Sequence, residues 1–217
     1  MSAGGGPLPA GRRDRLAVPV VLIGPMGAGK STVGKRAAKT LGVPFTDTDR
    51  EIVREHGPIE DLFAQQGEDA FRRLETTAVH TAVRSGGVVA VGGGAVTREA
   101  TRTALAGCRV VLLTVSAEAV AERIAGTARP LLATGGVDAW TAIADARAAT
   151  YTALADVVVD TSRRPMSRVA DEVVAWIREA EQRDADRRTT AQAASGPSTT
   201  ALHTTERRPE RHPEEER

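Results

Sequence analysis

The residues Gly24–Thr32, with the sequence GPMGAGKST, match the pattern G-x-x-x-x-G-K-[ST] without a gap. In this pattern the glycines let successive backbone N–H groups turn inward around phosphate oxygens. We expect Lys30 to reach the β and γ phosphates and the hydroxyl of Ser31 to bind Mg²⁺. The stretch therefore predicts an ATP-binding phosphate loop, whose contacts would come from Gly27, Ala28, Gly29, Lys30, Ser31 and Thr32.

The sequence on both sides of this loop fits the prediction. A β-branched run precedes it, and a helical pattern with Val33, Ala37 and Leu41 on one face follows it. Short apolar runs then alternate with helical patterns, which is typical of βαβ units and a parallel sheet. The predicted strands are 18–23, 43–46, 88–91, 109–115 and 157–160. The predicted helices are 30–41, 49–56, 59–65, 69–85, 98–106, 117–125, 138–155 and 167–181.

Two acids and three glycines follow predicted strands. Asp47 and Asp49 come at the end of the second strand, at the edge of the sheet where ligands bind in open α/β folds. One acid would lie near the metal and the other near the phosphate acceptor; the alternative is that Asp49 only caps the next helix. Gly92–Gly94 ends the third strand, where it is either a floor of backbone amides under a small polar ligand or a flexible turn.

Composition excludes several classes of partner. There are 29 Lys and Arg against 28 Asp and Glu, and this net charge of +1 disfavours a nucleic-acid partner. The single cysteine, Cys108, excludes an internal disulfide and a thiolate metal site and fits a reducing cytoplasm. No apolar run approaches the roughly 20 residues that span a bilayer, and residues 1–15 lack the apolar region of a signal peptide. We expect a cytoplasmic protein without a membrane partner.

The two ends of the chain differ in composition from its middle. Residues 1–16 are rich in Gly, Pro and Arg, and residues 183–217 contain Leu202 as their only large aliphatic side chain. Neither segment can bury enough apolar surface to offset a backbone ordering cost of about 1–2 kcal/mol per residue. We therefore predict disordered ends and one domain over residues 17–182.

Six motifs follow one another in order along this chain. They are the P-loop, Asp47-Thr48-Asp49, the run from Ile59 to Glu75, the triple glycine with Ala95-Val96, Arg129-Pro130-Leu131-Leu132, and Arg147 followed by Tyr151. Together they resemble those of the shikimate kinase family, a small branch of the nucleoside-monophosphate-kinase-like P-loop proteins, and its actinobacterial members above all. The resemblance runs from about Val18 to Ile177. It implies a three-layer P-loop fold around a five-stranded parallel sheet of order 2-3-1-4-5. A substrate-binding segment at about 47–80 and a lid at about 125–137 would be inserted.

The resemblance also implies an activity, which is transfer of the γ-phosphoryl group of ATP to the 3-hydroxyl of shikimate with one Mg²⁺. Asp49 would bind the ring hydroxyls and position or deprotonate the attacking one, and Asp47 would support the metal through water. Lys30, Asp49 and Arg129 would be the catalytic residues. The acceptor would be held by Asp49, Arg72, Gly92, Gly93, Gly94 and Arg147. Arg129 on the lid would reach the transferring phosphate, and Arg123 and Arg164 would lie near the adenine.

The sequence leaves some points open. Arg73 adjoins Arg72, and only the resemblance chooses between them as the carboxylate ligand. The family often has Arg-x-Pro-x-Tyr where this chain has no proline between Arg147 and Tyr151, and Trp140 replaces a more usual polar residue. Rival functions are a gluconate or nucleoside-monophosphate kinase, a nucleotide-binding switch without an acceptor, and an arginine-rich nucleic-acid binder. We expect a monomer with ATP and shikimate as its partners.

Overall fold

The fold is known from a computed structural model, which describes residues 16–124 and 136–194. Its strands are β1 Val20–Ile23, β2 Phe45–Asp47, β3 Val88–Ala90, β4 Arg109–Thr114 and β5 Val157–Asp160. Its helices are α1 Lys30–Leu41, α2 Thr48–His56, α3 Ile59–Ser85, α4 Glu99–Leu105, α5 Ala117–Ile124, α6 Gly136–Leu154 and α7 Met166–Ala194, with a 3-10 helix at Ala95–Thr97. Each predicted strand is present, with bounds that shift by at most a few residues.

The five strands form one parallel sheet in the order β2-β3-β1-β4-β5, which confirms the predicted fold class. β1 lies at the centre, where Val20 pairs with Val88 on one side and with Arg109 on the other. A central parallel strand is covered on both faces, so a continuous apolar run is required there. All four residues of β1 are accordingly fully buried.

Helices cover both faces of this sheet. Val20 and Leu22 belong to a core cluster that contains residues of α1, α5 and α7, whereas Val21 and Ile23 belong to a second cluster with residues of α3 and α4. Alternate residues of one strand thus face opposite layers, as the pleat requires. A third, smaller cluster of Ile52, Leu62 and Phe71 joins α2 to α3. The carboxyl ends of the strands remain free to carry the site.

The two helices predicted at 59–65 and 69–85 are present as the two halves of α3. They meet at a kink at Gly67, whose φ of 78° and ψ of 169° are not helical. A side chain at this positive φ would be strained, which explains glycine at the kink. The kink separates a short first half with Leu62 from a long second half with Phe71, Arg72 and Glu75.

The end of the described chain corrects the prediction of disorder from residue 183. Helix α7 does not stop at Glu181 but continues to Ala194, so the prediction is wrong for residues 183–194. Ala, Arg, Gln and Asp can extend a helix without a core beneath it, and the first strong helix breakers are Gly196 and Pro197. The chain divides into two units, Met1–Glu181 and Gln182–Arg217. Residues 1–15, 125–135 and 195–217 lie outside the described residues.

Over the parts of the chain that the structure describes, no helix is both long and apolar enough to traverse a lipid bilayer.

Candidate active site

The loop between β1 and α1 has the backbone conformation of a phosphate cradle. Gly24, Gly27 and Gly29 have φ values of 133°, 85° and 86°. At Gly24 a Cβ atom would lie 2.1 Å from the carbonyl oxygen of Leu113 in β4, so no side chain fits there. Ala28, between these glycines, is fully buried. Conformation therefore favours glycine at all three positions, and at Gly24 space requires it as well.

Helix α1 begins at Lys30, directly after Gly29, with its amino end at the loop. The free N–H groups of a helix amino terminus favour anions, and phosphate is the common occupant. The Lys30 ammonium donates hydrogen bonds to the carbonyl oxygens of Gly24 at 2.7 Å and Pro25 at 3.0 Å. Ser31 and Thr32 follow in the first turn, partly exposed and exposed respectively. The amino end of α1 thus brings together the lysine ammonium, two hydroxyls and helical N–H groups.

Asp47 and Asp49 have different surroundings. Asp47 ends β2 and caps α2, since its Oδ1 accepts a hydrogen bond from the N–H of Arg50 at 3.2 Å. The capping role that the sequence left open for Asp49 thus belongs to Asp47. Burial raises the pKa of the Asp49 carboxyl and the negative charge of Asp47 raises it further, whereas the cations of Lys30 and Arg72 lower it. Asp49 is a largely buried acid that lies within the field of Lys30 of the phosphate loop and of Arg72.

The three glycines after β3 lie against these side chains. A Cβ on Gly92 would be 2.3 Å from Oε1 of Glu75 and 2.6 Å from Oδ1 of Asp49, and one on Gly94 would be 2.2 Å from Nη1 of Arg72. Neither glycine has a positive φ, so space rather than conformation excludes a side chain. The interpretation as a bare floor is favoured over a flexible turn.

Arg72 and its neighbour Arg73 differ in exposure. The Arg72 side chain is 11% exposed and that of Arg73 is 71% exposed. Nη1 of Arg72 donates to Glu75 at 2.8 Å, while its Nε and Nη2 donate to one oxygen of Glu68 at 3.2 and 3.0 Å. The guanidinium also lies 5.3 Å from the ring centre of Phe71. Arg72 faces the glycine floor, and Arg73 faces solvent.

Arg147 approaches the same floor from α6. Its Nη1 donates to the carbonyl oxygen of Gly93 at 3.1 Å, and the hydroxyl of Tyr151 donates to the same oxygen at 2.5 Å. Burial raises the pKa of the Tyr151 hydroxyl. The guanidinium of Arg147 lowers this pKa, and the carboxyl of Glu75 raises it. The helix places Arg147 and Tyr151 on one face through their i, i+4 spacing, although no proline separates them.

The remaining predicted ATP ligands differ in position. Arg123 donates to the carbonyl oxygen of Gly27 at 3.0 Å and to the hydroxyl of Thr161 at 3.1 Å, so it joins the phosphate loop to the end of β5. Arg164 pairs with Glu172 at 2.5 Å, partly exposed, and no described contact joins it to the loop. Arg129 and nearly all of the predicted lid lie outside the described residues.

Sequence reasoning gave no role to three residues that the structure brings to the site. Glu75, of which 1% is exposed, contacts Arg72. Tyr151 holds Gly93, and the indole N–H of buried Trp140 donates to the carbonyl oxygen of Met26 in the phosphate loop at 2.9 Å. The spacing of Glu75, three residues after Arg72 on one helix, was the available signal.

The donor set fits one Mg²⁺ held mainly by nucleotide and water. Among residues 16–124 and 136–194, no group of three or more His, Cys, Asp or Glu side chains could hold a metal. Mg²⁺ usually keeps several waters and takes only one or two protein oxygens together with phosphates, so a hydroxyl and a carboxylate suffice. Ser31 and Asp47 are the residues that would hold it.

A phosphate loop at the edge of a parallel sheet, next to a buried acid and two arginines over a glycine floor, defines the class of small-molecule P-loop kinases. Comparison with known proteins identifies the family within that class. The chain matches the shikimate kinase family over residues 26–178, and it belongs to that family.

Relatives and solved structures agree with this assignment. The shikimate kinase of Streptomyces avermitilis is 45% identical over 158 residues, which cover 71% of this chain and 92% of that protein. The shikimate kinase of Mycobacterium avium is 44% identical over 163 residues, covering 73% and 93%. The structure of shikimate kinase from Acinetobacter baumannii in complex with shikimate matches with a TM-score of 0.72 at 32% identity, covering 76% of this chain and 96% of that one.

Proposed function

We propose that the protein transfers the γ-phosphoryl group of ATP to the 3-hydroxyl of shikimate, which yields shikimate 3-phosphate and ADP on the route to chorismate and the aromatic amino acids. The observation that carries this proposal is the convergence of Asp49 and Arg72 on Gly92–Gly94. One acid and one arginine over a floor without side chains suit a small acceptor that has both hydroxyl groups and a carboxylate.

The arginines would hold the acceptor carboxylate. A guanidinium is planar and can give two parallel hydrogen bonds to a carboxylate, which fixes the orientation of the bound molecule. Arg72 lies against Gly94 and Arg147 against Gly93, so their guanidinium groups flank the same stretch of backbone. We assign the carboxylate to this pair and the ring to the floor between it and Asp49.

Asp49 would bind the acceptor hydroxyl and accept its proton. The pKa of this carboxyl lies above its ordinary value because of burial, so the carboxylate is a stronger base than an exposed aspartate. The opposing pull of Lys30 and Arg72 favours its ionised form. A general base must be ionised before the reaction and must bind the proton during it. Burial favours proton binding and the two cations favour ionisation, so the environment of Asp49 meets both requirements.

Charge stabilisation at the other end of the reaction would come from the phosphate loop. Phosphoryl transfer depends mainly on positioning and on neutralising the charge of the transferring group. Lys30, the amino terminus of α1 and Arg129 supply positive charge, and Arg123 and Arg164 remain our proposed contacts near the adenine. Mg²⁺, when bound with ATP by Ser31 and Asp47, would neutralise phosphate charge.

The rival functions have less support. Gluconate also carries hydroxyls and a carboxylate, so the pair of arginines alone does not exclude it. The 40–46% identities are to shikimate kinases, and this favours shikimate. A nucleotide switch without an acceptor would have no use for a buried acid and an enclosed arginine beside the phosphate loop.

The test is ADP release from ATP and Mg²⁺ with shikimate, gluconate, AMP or no acceptor. We expect turnover with shikimate and a rate with each other acceptor close to that without acceptor. The position of the phosphoryl group is read by ³¹P–¹H correlation NMR on the product. Turnover with gluconate or AMP, and none with shikimate, would reject the proposal.

We also propose that the enzyme works in the cytoplasm as a monomer, without nucleic acid or membrane as a partner. A single cysteine suits a reducing compartment, and the net charge of +1 offers no surplus for polyanions. Light scattering of the purified full chain measures the oligomeric state directly.

A further inference from the structure

Each of the three guanidinium nitrogens of Arg72 donates a hydrogen bond to a carboxylate of the protein itself. Nη1 donates to Glu75, and Nε and Nη2 both donate to one oxygen of Glu68. The edge formed by Nε and Nη2 is the one that best fits a carboxylate with two parallel hydrogen bonds. An incoming carboxylate therefore meets an internal carboxylate at the edge that it needs.

The two internal partners differ in how easily they can leave. Glu75 has a side chain 2% exposed, enclosed beside Gly92 and Asp49, so it has no space to rotate into. Glu68 has a side chain 66% exposed, and it follows the kink at Gly67. An exposed carboxylate regains its hydration when it leaves an ion pair, so its departure costs little. Glu68 is the partner that a ligand would displace.

Arg72 does not depend on Glu68 for its position. Its guanidinium group packs close to the Cα of Gly94, 5.3 and 5.9 Å from the ring centres of Phe71 and Phe63, and it is bonded to buried Glu75. These contacts fix the plane of the group from several sides. Removal of Glu68 would therefore leave the arginine in place and free its carboxylate-binding edge.

We propose that Glu68 sets the acceptor affinity of the site by competing, as an internal carboxylate, with the acceptor for Arg72. The inference rests on the proposed function, because it assumes that Arg72 binds the acceptor's carboxylate. A simple carboxylate gains little when it only replaces Glu68. A polyhydroxy acid that also reaches Asp49 and Arg147 has additional contacts, so it can displace Glu68 at a lower concentration. The cost of displacing Glu68 is the same for every carboxylate that binds this edge of Arg72.

The matched variants are Glu68→Ala, Glu68→Gln and, as control, Asp69→Asn. Asp69 is the next residue of α3 and is 79% exposed, but its partners are Arg73 and Arg98 rather than Arg72. It therefore removes a nearby negative charge without changing the contacts of Arg72. Shikimate KM and kcat, ATP KM, and the inhibition constant of benzoate, a carboxylate without hydroxyls, are measured for each full-length variant.

We expect Glu68→Ala to lower the shikimate KM about two- to fivefold, the range that an exposed ion pair allows. The inhibition constant of benzoate should fall by a similar factor, with kcat and ATP KM unchanged. Glu68→Gln should lie between Ala and the wild type, because its amide oxygen still accepts a weaker hydrogen bond. Asp69→Asn should resemble the wild type.

A rise in the shikimate KM of Glu68→Ala would show that Glu68 orients Arg72, and an unchanged KM with a lower Tm would show a purely structural role. Either result overturns the inference. If the wild type does not use shikimate, the proposed function fails separately. The inference is then decided by hydrogen exchange at Arg72 Nε and by benzoate binding, both of which must increase in Glu68→Ala.

Discussion

The carboxylate of Glu75 accepts a hydrogen bond from Nη1 of Arg72 at 2.8 Å, with only 2% of the Glu75 side chain exposed. Burial raises the pKa of this carboxyl although Arg72 lowers it. Loss of one member of a buried ion pair leaves the other charge uncompensated, which is costly. The pair is therefore expected to matter for both the stability of α3 and the binding of the acceptor.

The first prediction concerns this pair. Glu75→Ala should lower the free energy of unfolding by about 3 kcal/mol and raise the shikimate KM, because Arg72 would lose the buried carboxylate that compensates its charge. Urea unfolding and steady-state kinetics measure the two effects. Glu60→Gln, an exposed change in the first turn of α3, is the control and should leave both quantities unchanged. A stable Glu75→Ala variant with normal KM would contradict the assigned role.

Asp49→Asn should reduce kcat about 10²–10⁴-fold and leave the ATP KM nearly unchanged, because the acid is assigned to the acceptor. A comparable loss of ATP affinity would instead assign Asp49 to the metal. Isothermal titration with a nonhydrolysable ATP analogue separates these outcomes.

The same substitution should stabilise the protein. The pKa of Asp49 is raised in the folded state, so the folded protein binds this proton more readily than the unfolded chain does. Stability from this group is therefore present at low pH, and it is lost as pH rises from the ordinary value of 3.8 through the raised folded pKa. At pH 7 Asp49→Asn removes that cost, and we expect a gain of about 1 kcal/mol, or roughly 2–4 °C in Tm. A scanning calorimetry series at pH 4 and pH 7 should show the gain at pH 7 alone.

Gly94→Ala should raise the shikimate KM at least about tenfold, because its methyl group would overlap the Arg72 guanidinium and displace it. The backbone at Gly94 has a φ of −95°, so alanine is not strained there and the effect is one of space. Gly107→Ala is the matched control, since a Cβ at Gly107 would meet nothing within 4 Å. Equal kinetics for the two variants would contradict the interpretation of the glycine floor.

Tyr151→Phe should raise the shikimate KM roughly fivefold and cost about 1 kcal/mol of stability, because one of two donors to the Gly93 carbonyl is lost. Arg147 would still donate to that oxygen, so the floor should be loosened rather than lost. Kinetics and thermal unfolding of the variant measure both quantities. A fall in kcat at unchanged KM would instead place the hydroxyl in the chemical step.

A chain that ends after Gln182 should retain full activity and most of its stability. It keeps Glu181, which pairs with Arg109 and accepts a hydrogen bond from the N–H of Ala17. Glu181→Ala in the full chain should lower Tm by several degrees without changing KM. An inactive shortened chain would contradict this prediction, because it would show that residues 183–217 contribute to the activity of the enzyme.

Much of the architecture follows from local sequence. The central strand is predictable because a run such as Val20–Ile23 has no other place than a buried sheet, and Lys30–Leu41 is predictable because its glycine loop and apolar stripe coincide. The end of α7 is not predictable in this way, since exposed helix formers can extend a helix or remain unfolded with little difference in free energy.

The residues of the candidate site likewise divide into those that a local motif predicts and those that only the fold brings together. Lys30 and the glycines are fixed by a motif, whereas the roles of Glu75 and Tyr151 depend on contacts between α3, α6 and the turn after β3. Asp47, rather than Asp49, caps α2 because the helix already begins at Thr48, which places Asp49 inside its first turn. Contacts between distant segments produce no periodic pattern in a single sequence, so the roles of these residues could be assigned only from the fold.

The phosphate loop is supported by segments made late in synthesis. Arg123 joins the carbonyl of Gly27 to Thr161, and a Cβ on Gly29 would lie 2.8 Å from the sulfur of Met166 at the start of α7. A nascent chain that has not yet released residues 161–166 from the ribosome lacks these supports, even though the loop itself emerged long before. The growing polypeptide should therefore acquire tight nucleotide binding only after residues 161–166 have left the ribosome.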